Sequence, residues 1–156
     1  FKNEKINIFS EKIQKIEGKF ETIIYLNVLE HIENDLKEID DALSKINKGG
    51  YLIIVVPAHQ KLYTNFDKEI GHFRRYEKKF FKRNYKNADI KKLIHVDAMG
   101  YFLYFLNKII FSKETYPSSF KVQVWDKIFT PITILVDFVL GYRFGKNILC
   151  VLKKTK

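Results

Sequence analysis

The sequence predicts an α/β fold, and three observations predict it. The run Glu21–Asn27 is apolar and β-branched at Thr22, Ile23 and Ile24, as a strand buried in a parallel sheet should be. Leu36, Ile39, Leu43 and Ile46 then recur at helical spacing. Tyr51–Val56 is a second continuous apolar run, and Pro57 closes it because it cannot donate to a ladder. Strand, helix and strand this close together make a right-handed crossover the expected connection.

The other elements follow in order. Lys5–Phe9 alternates and reads as a short strand. Asn34 or Asp35 caps the central helix, with Glu38 in its first turn. Asn47, Lys48, Gly49 and Gly50 are expected to end it, since glycine accepts the left-handed conformation of a helix stop. Ala58–Tyr76 is irregular, polar and aromatic, and a loop of that length inside a domain is usually functional. Glu77–Tyr85 reads as helix and Ile90–Val96 as strand. Met99–Phe111 is an aromatic-rich helix, and Phe120–Leu140 a helix interrupted by Pro131. Lys146–Lys153 is a final strand. There is no repeat and no low-complexity linker, so residues 1–156 are expected to form a single domain.

Composition bounds the function. Hydrophobic residues make up 46% of the 156, which excludes a disordered chain. Lys and Arg outnumber Asp and Glu by 28 to 18, a net charge of +10. That excess admits nucleic acid, an anionic membrane or acidic substrates. Scattered Lys-Lys pairs favour non-specific basicity. There is no helix-turn-helix, zinc or RNA-recognition signature, so no nucleic-acid partner is expected. Cys150 is the one cysteine, which excludes an internal disulfide and fits a reducing, cytoplasmic location. Phe1–Ser10 does not resemble a signal peptide. The uncharged run Ile128–Val136 is too short to span a bilayer. A start at Phe1 rather than Met suggests a processed chain, an excised domain or a truncated frame.

The first central strand ends on a polar cluster, Asn27, Glu30 and His31. In open α/β sheets ligands bind beyond the carboxyl ends of strands, so a small-molecule site is expected there. Histidine titrates near neutrality, and His31 could take a proton from a substrate hydroxyl. Bonding of Glu30 and His31 to local backbone is the competing role.

Asn27-Val28-Leu29-Glu30-His31-Ile32, then Gly49-Gly50, then Val56-Pro57-Ala58-His59 resemble class I S-adenosylmethionine (SAM) dependent methyltransferases of the type 11 or 12 branch. Leu62-Tyr63, Asp67 and Gly71-His72-Phe73-Arg74-Arg75-Tyr76 resemble a subgroup with a "LY…D…GHxRRY" loop. The resemblance runs from about Lys5 to Lys153. It implies a Rossmann-like, mostly parallel sheet with an antiparallel final strand. It implies SAM as cofactor, with Asn27, Val28 and Leu29 lining its pocket. The loop after the second central strand would reach the acceptor, a small molecule methylated on oxygen or nitrogen. His31, His59 and His72 are the candidate bases, and Tyr63, Arg74, Arg75 and Tyr76 the candidate acceptor contacts. Pairing of Arg74 and Arg75 with acids such as Asp67 and Glu69 is the alternative.

Such enzymes begin with a glycine-rich turn that holds the methionine part of SAM, and this sequence has no Gly-x-Gly-x-Gly. The chain is therefore expected to be the C-terminal part of the fold, with N-terminal strands missing. A non-catalytic binding or scaffold remnant is the alternative function. Some relatives resemble an E-x-x-E-H metal site. Here Asn27 takes the first position, one carboxylate is lost, and no metal is expected. Tyr101, Phe102, Tyr104, Phe105, Phe111, Trp125, Phe129 and Phe138 are expected in the core, with a peripheral membrane contact as the lesser role.

Overall fold

The computed structural model describes residues 11–83, 85, 87–110, 127 and 130–156, without the side chains of 105–110 and 130. The strands are β1 (Phe20–Leu26), β2 (Ile46–Pro57), β3 (Ala88–Val96) and β4 (Asn147–Lys154). The helices are α1 (Asp35–Ser44), α2 (Asn65–Glu69), α3 (Lys78–Phe81), α4 (Ala98–Ile110) and α5 (Thr130–Val139). The sheet order is β1-β2-β4-β3. β1 pairs parallel with β2, and β4 lies between β2 and β3, antiparallel to both. The fold is thus α/β, with three strands running one way and the last reversed.

α1 forms where the apolar spacing places it. The Asn34 side chain accepts from the Lys37 N–H, and Asp35 and Glu38 lie in the first turn. Its buried face, Ile39, Ala42 and Leu43, packs in one core cluster with Ile23, Leu52, Ile54, Val56, Ile148 and Leu152. These strand residues alternate along the sheet, so they line one face.

The opposite face is also apolar, and it is open at its β1 edge. Ile24 is 54% and Leu26 61% exposed. Their cross-strand neighbours are Ile53 and Val55, which in turn pair with Val151 and Leu149.

Two elements depart from the sequence expectation. Asn47–Gly50 do not end α1. The helix closes one turn earlier, with the Lys45 N–H donating to Ala42 and Leu43, and β2 already begins at Ile46. Ile46 is buried opposite Phe20, and the ladder resumes only at Thr22 and Tyr51. The residues between form an irregular strand start, with Gly49 at φ 86°. A Cβ on Gly50 would stand 2.5 Å from the Glu21 carbonyl oxygen. The Glu77–Tyr85 helix shrinks to α3 because Tyr85 bridges to Ala88 instead. Of the Phe120–Leu140 segment, α5 covers Thr130–Val139 and contains Pro131; residues 120–126, 128 and 129 lie outside the described residues. The Lys5–Phe9 strand lies outside the described residues. Among those residues, no helix is long and apolar enough to cross a membrane.

The aromatic residues divide. Tyr101 and Tyr104 are partly buried, while Phe102 is half exposed. On α5, Phe138 is 71% and Val139 73% exposed. Phe111, Trp125, Phe129 and the Phe105 side chain lie outside the described residues.

Candidate functional site

Each of the three co-directional strands is followed by a residue in the left-handed region: Asn27 (φ 51°) after β1, His59 (φ 64°) after β2, and Asp97 (φ 67°) after β3. A positive φ in a non-glycine residue costs energy and tends to mark functional turns. Here it turns the chain off the sheet at the carboxyl edge. The Asn27 N–H still donates to Val55, so the turn begins directly at the ladder's end.

The turn Leu29–His31 follows. The Leu29 side chain points into the core, whereas Val28 and His31 are exposed. The Gly71–Tyr76 segment is bonded onto this turn. The Phe73 N–H donates to the Glu30 carbonyl at 2.8 Å, and the Tyr76 hydroxyl donates to the Leu29 carbonyl at 3.0 Å. Arg74 donates to the Asp35 carboxylate and the Glu33 carbonyl. The Tyr76 hydroxyl shares its one proton between the Leu29 carbonyl and the Asp35 carboxylate, the latter 2.9 Å away. The two segments that carried the family resemblance are therefore one assembly.

At its centre stand Glu30, His31 and His72. Glu30 is 1% exposed, and neither of its carboxylate oxygens has a hydrogen-bond partner. Burial pushes its pKa up, against the opposing pull of its own backbone, His31 and Arg75. The rings of His31 and His72 meet edge to face, centroids 4.6 Å apart. His72 Nδ1 is 2.9 Å from Asp67 Oδ1, and His31 Nδ1 is 3.2 Å from the Gly71 carbonyl. Burial lowers the His72 pKa despite the Asp67 carboxylate beside it. A neutral His72 makes no ion pair with Glu30, whose Oε1 lies 3.9 Å from Nε2.

Asp67 is the hub of the shell behind His72. Arg75 grips both its oxygens, through Nε at 2.9 Å and Nη2 at 3.0 Å. The Thr64 N–H and hydroxyl also donate to it. Burial pushes the carboxyl up, but Arg75, Thr64 and His72 together hold it below the usual range. The Arg75 guanidinium lies 4.9 Å over the Tyr104 ring, and the Tyr104 hydroxyl donates to Leu62. The Tyr63 hydroxyl donates to the His72 carbonyl at 2.6 Å. Arg75 and Tyr76 are buried; Arg75 Nε and Nη2 and the Tyr76 hydroxyl bond within the chain, while Arg75 Nη1 has no hydrogen-bond partner.

His59 belongs to a second group. Its Nε2 is 3.0 Å from the Gly145 carbonyl, its ring stacks on His95 at 4.9 Å, and Tyr101 meets it edge on. Burial lowers its pKa and pushes that of His95 down to about 4. Asp137 of α5 accepts from the Asp97 and Ala98 N–H groups, both at 2.7 Å.

No family model matches the chain, and no curated protein matches it. Among solved structures it is similar to the crystal structure of the MccD protein, at 13% identity over 93% of this chain, TM-score 0.44. It is also similar to the crystal structure of a SAM dependent methyltransferase from Archaeoglobus fulgidus, at 13% identity over 94% of this chain, TM-score 0.47. The chain spans 66% of the length of each. What the site can do follows from its own residues.

Sequence reasoning brought His31 and His72 forward but underweighted Glu30, Asp67, His95 and Tyr104. Asp67 was legible through its spacing from Thr64, the pattern of a helix cap. His95 carried no signal, since a lone histidine on a strand is indistinguishable from any other polar residue.

Proposed function

We propose that this chain is the acceptor-side part of a SAM-dependent methyltransferase acting on an oxygen or nitrogen of a small molecule. The observation that carries the reading is the joining of the Asn27–Ile32 turn to the Gly71–Tyr76 segment at the carboxyl edge of β1, the position where open α/β sheets bind ligands. The reversed β4 between β2 and β3 fits the same reading.

The residues fit part of the cofactor. The Asn27 turn offers exposed backbone and the Val28 side chain for contact. The glycine-rich cradle for the methionine part is absent from this sequence, so residues upstream of Phe1 would supply it. The outer edge of β1 has no strand beside it among the described residues, which leaves room for such a unit. When bound, SAM supplies a methyl group already attached to a good leaving group. The protein's task is then alignment, with a proton acceptor where the substrate needs one. His31 and His72 face one space and are the groups placed for that proton. Asp67 and Arg75 fix the His72 ring, and Tyr63 fixes its backbone. Tyr63, Arg74, Arg75 and Tyr76 then act by holding the loop in place.

Calorimetry with SAM tests the proposal, on this chain and on a version extended upstream. Binding by the extended version alone, or by both, supports it. No binding by either overturns it in favour of a scaffold, a role that the inward pairing of Arg74 and Arg75 would also serve.

A further inference from the structure

The geometry points to a divalent transition-metal site formed by Glu30, His31 and His72. Their ligand atoms all lie within 4.8 Å of one another. This inference is independent of methyl transfer.

Hydrogen-bond polarity carries the argument. Asp67 is an ionised carboxylate and the Gly71 carbonyl has no proton to give, so both can only accept. Each histidine therefore carries a proton on Nδ1, and in the neutral ring the lone pair is the one on Nε2. An imidazole whose Nδ1–H is tied to a carboxylate or carbonyl is the form in which histidine binds metals. His72 Nε2 then faces Glu30 Oε1 across 3.9 Å, too far for a hydrogen bond, so neither atom is matched by the other. Glu30 is buried with both oxygens unpartnered, an arrangement that normally costs several kcal/mol. A cation between these atoms satisfies all three groups at once.

The spacing agrees. Tetrahedral zinc, with bonds of about 2.0–2.2 Å, sets its ligand atoms about 3.4 Å apart. The present separations close onto that figure by modest rotation of the exposed His31 side chain. Two imidazoles and one carboxylate select zinc-class ions over magnesium or calcium, which prefer oxygen donors. Three protein donors leave a position open toward solvent, the pattern of a site that also binds substrate. The carboxylate lost at Asn27 is offset by a second imidazole, which the loop carrying His72, forty-one residues beyond His31, returns to the site.

The test is zinc calorimetry on the untagged, metal-stripped chain without SAM, with thermal melting in parallel. Zinc should bind one to one and raise the melting temperature, and magnesium should do neither. Glu30→Gln and His72→Gln should each weaken zinc binding by about 100-fold or more, and His95→Gln should leave it unchanged. Glu30→Gln replaces a buried carboxyl that has no hydrogen-bond partner by an amide of the same shape, so without zinc it should melt no lower than the parent, which separates lost binding from lost folding. Cobalt should give the intense visible absorption of a low-coordinate site. Absence of one-to-one zinc binding, equal binding by the variants, or equal binding of magnesium would each overturn the assignment.

Discussion

Asp67 shows how one residue can decide a site's geometry. It joins Arg75, His72 and Thr64, and all of these contacts lie out of water or nearly so. Asp67→Asn would leave the buried Arg75 charge without its partner, and a loss of about 3–5 kcal/mol is expected by urea denaturation. His95 makes a pH-dependent prediction. Burial first, then Lys78 and His59, push its pKa down to about 4, with Glu77 pulling the other way. The unfolded chain takes up that proton near pH 6.5 and the folded chain only near 4. Stability is therefore complete above pH 6.5 and falls as pH drops toward 4, by on the order of 2–3 kcal/mol. His95→Phe should flatten that slope. The difference between the two proteins isolates His95 from Glu30, whose raised pKa acts in the opposite sense. At this scale the sequence was half legible. The Arg75–Asp67 pair was among its alternatives, because eight residues inside one loop is a short reach. The Arg74–Asp35 pair crosses thirty-nine residues, and no local pattern reports it.

Among the elements, strands and α1 were the most legible, since apolar periodicity is a direct image of burial. Boundaries were not, because tertiary contacts set them. Gly49 and Gly50 make the point. Both look like a helix stop, yet they serve a strand start, and they should fail differently when replaced. Gly49→Ala meets open space and pays only for its positive φ, about 1 kcal/mol. Gly50→Ala drives a methyl against the Glu21 carbonyl and the Ile46 side chain, so it should part β1 from β2. A loss of roughly 2–3 kcal/mol is expected, with faster amide exchange at Thr22 and Ile24. The long Ala58–Tyr76 segment hid a short helix, α2, whose start is built from Thr64 and Asp67. Its five residues are too few for periodicity to register.

For the whole molecule, the strand order could be reached from the family resemblance but not from local pattern, since nothing in β4 itself says that it slips between β2 and β3. The uneven covering of the sheet was less visible still, because Ile24 and Leu26 read as core in the sequence and stand open in the structure. That open face, described above as an architectural fact, has a practical side. Dyes such as ANS fluoresce on exposed apolar surface and are commonly read as a sign of loose packing. This chain should bind ANS in its native state while its near-UV circular dichroism stays strong and melts in one sharp step, because the helix-covered face is closed. Fluorescence alone would classify it as a molten globule. Ile24→Lys should dim the dye without moving the melt, a pairing of results that a molten chain cannot produce.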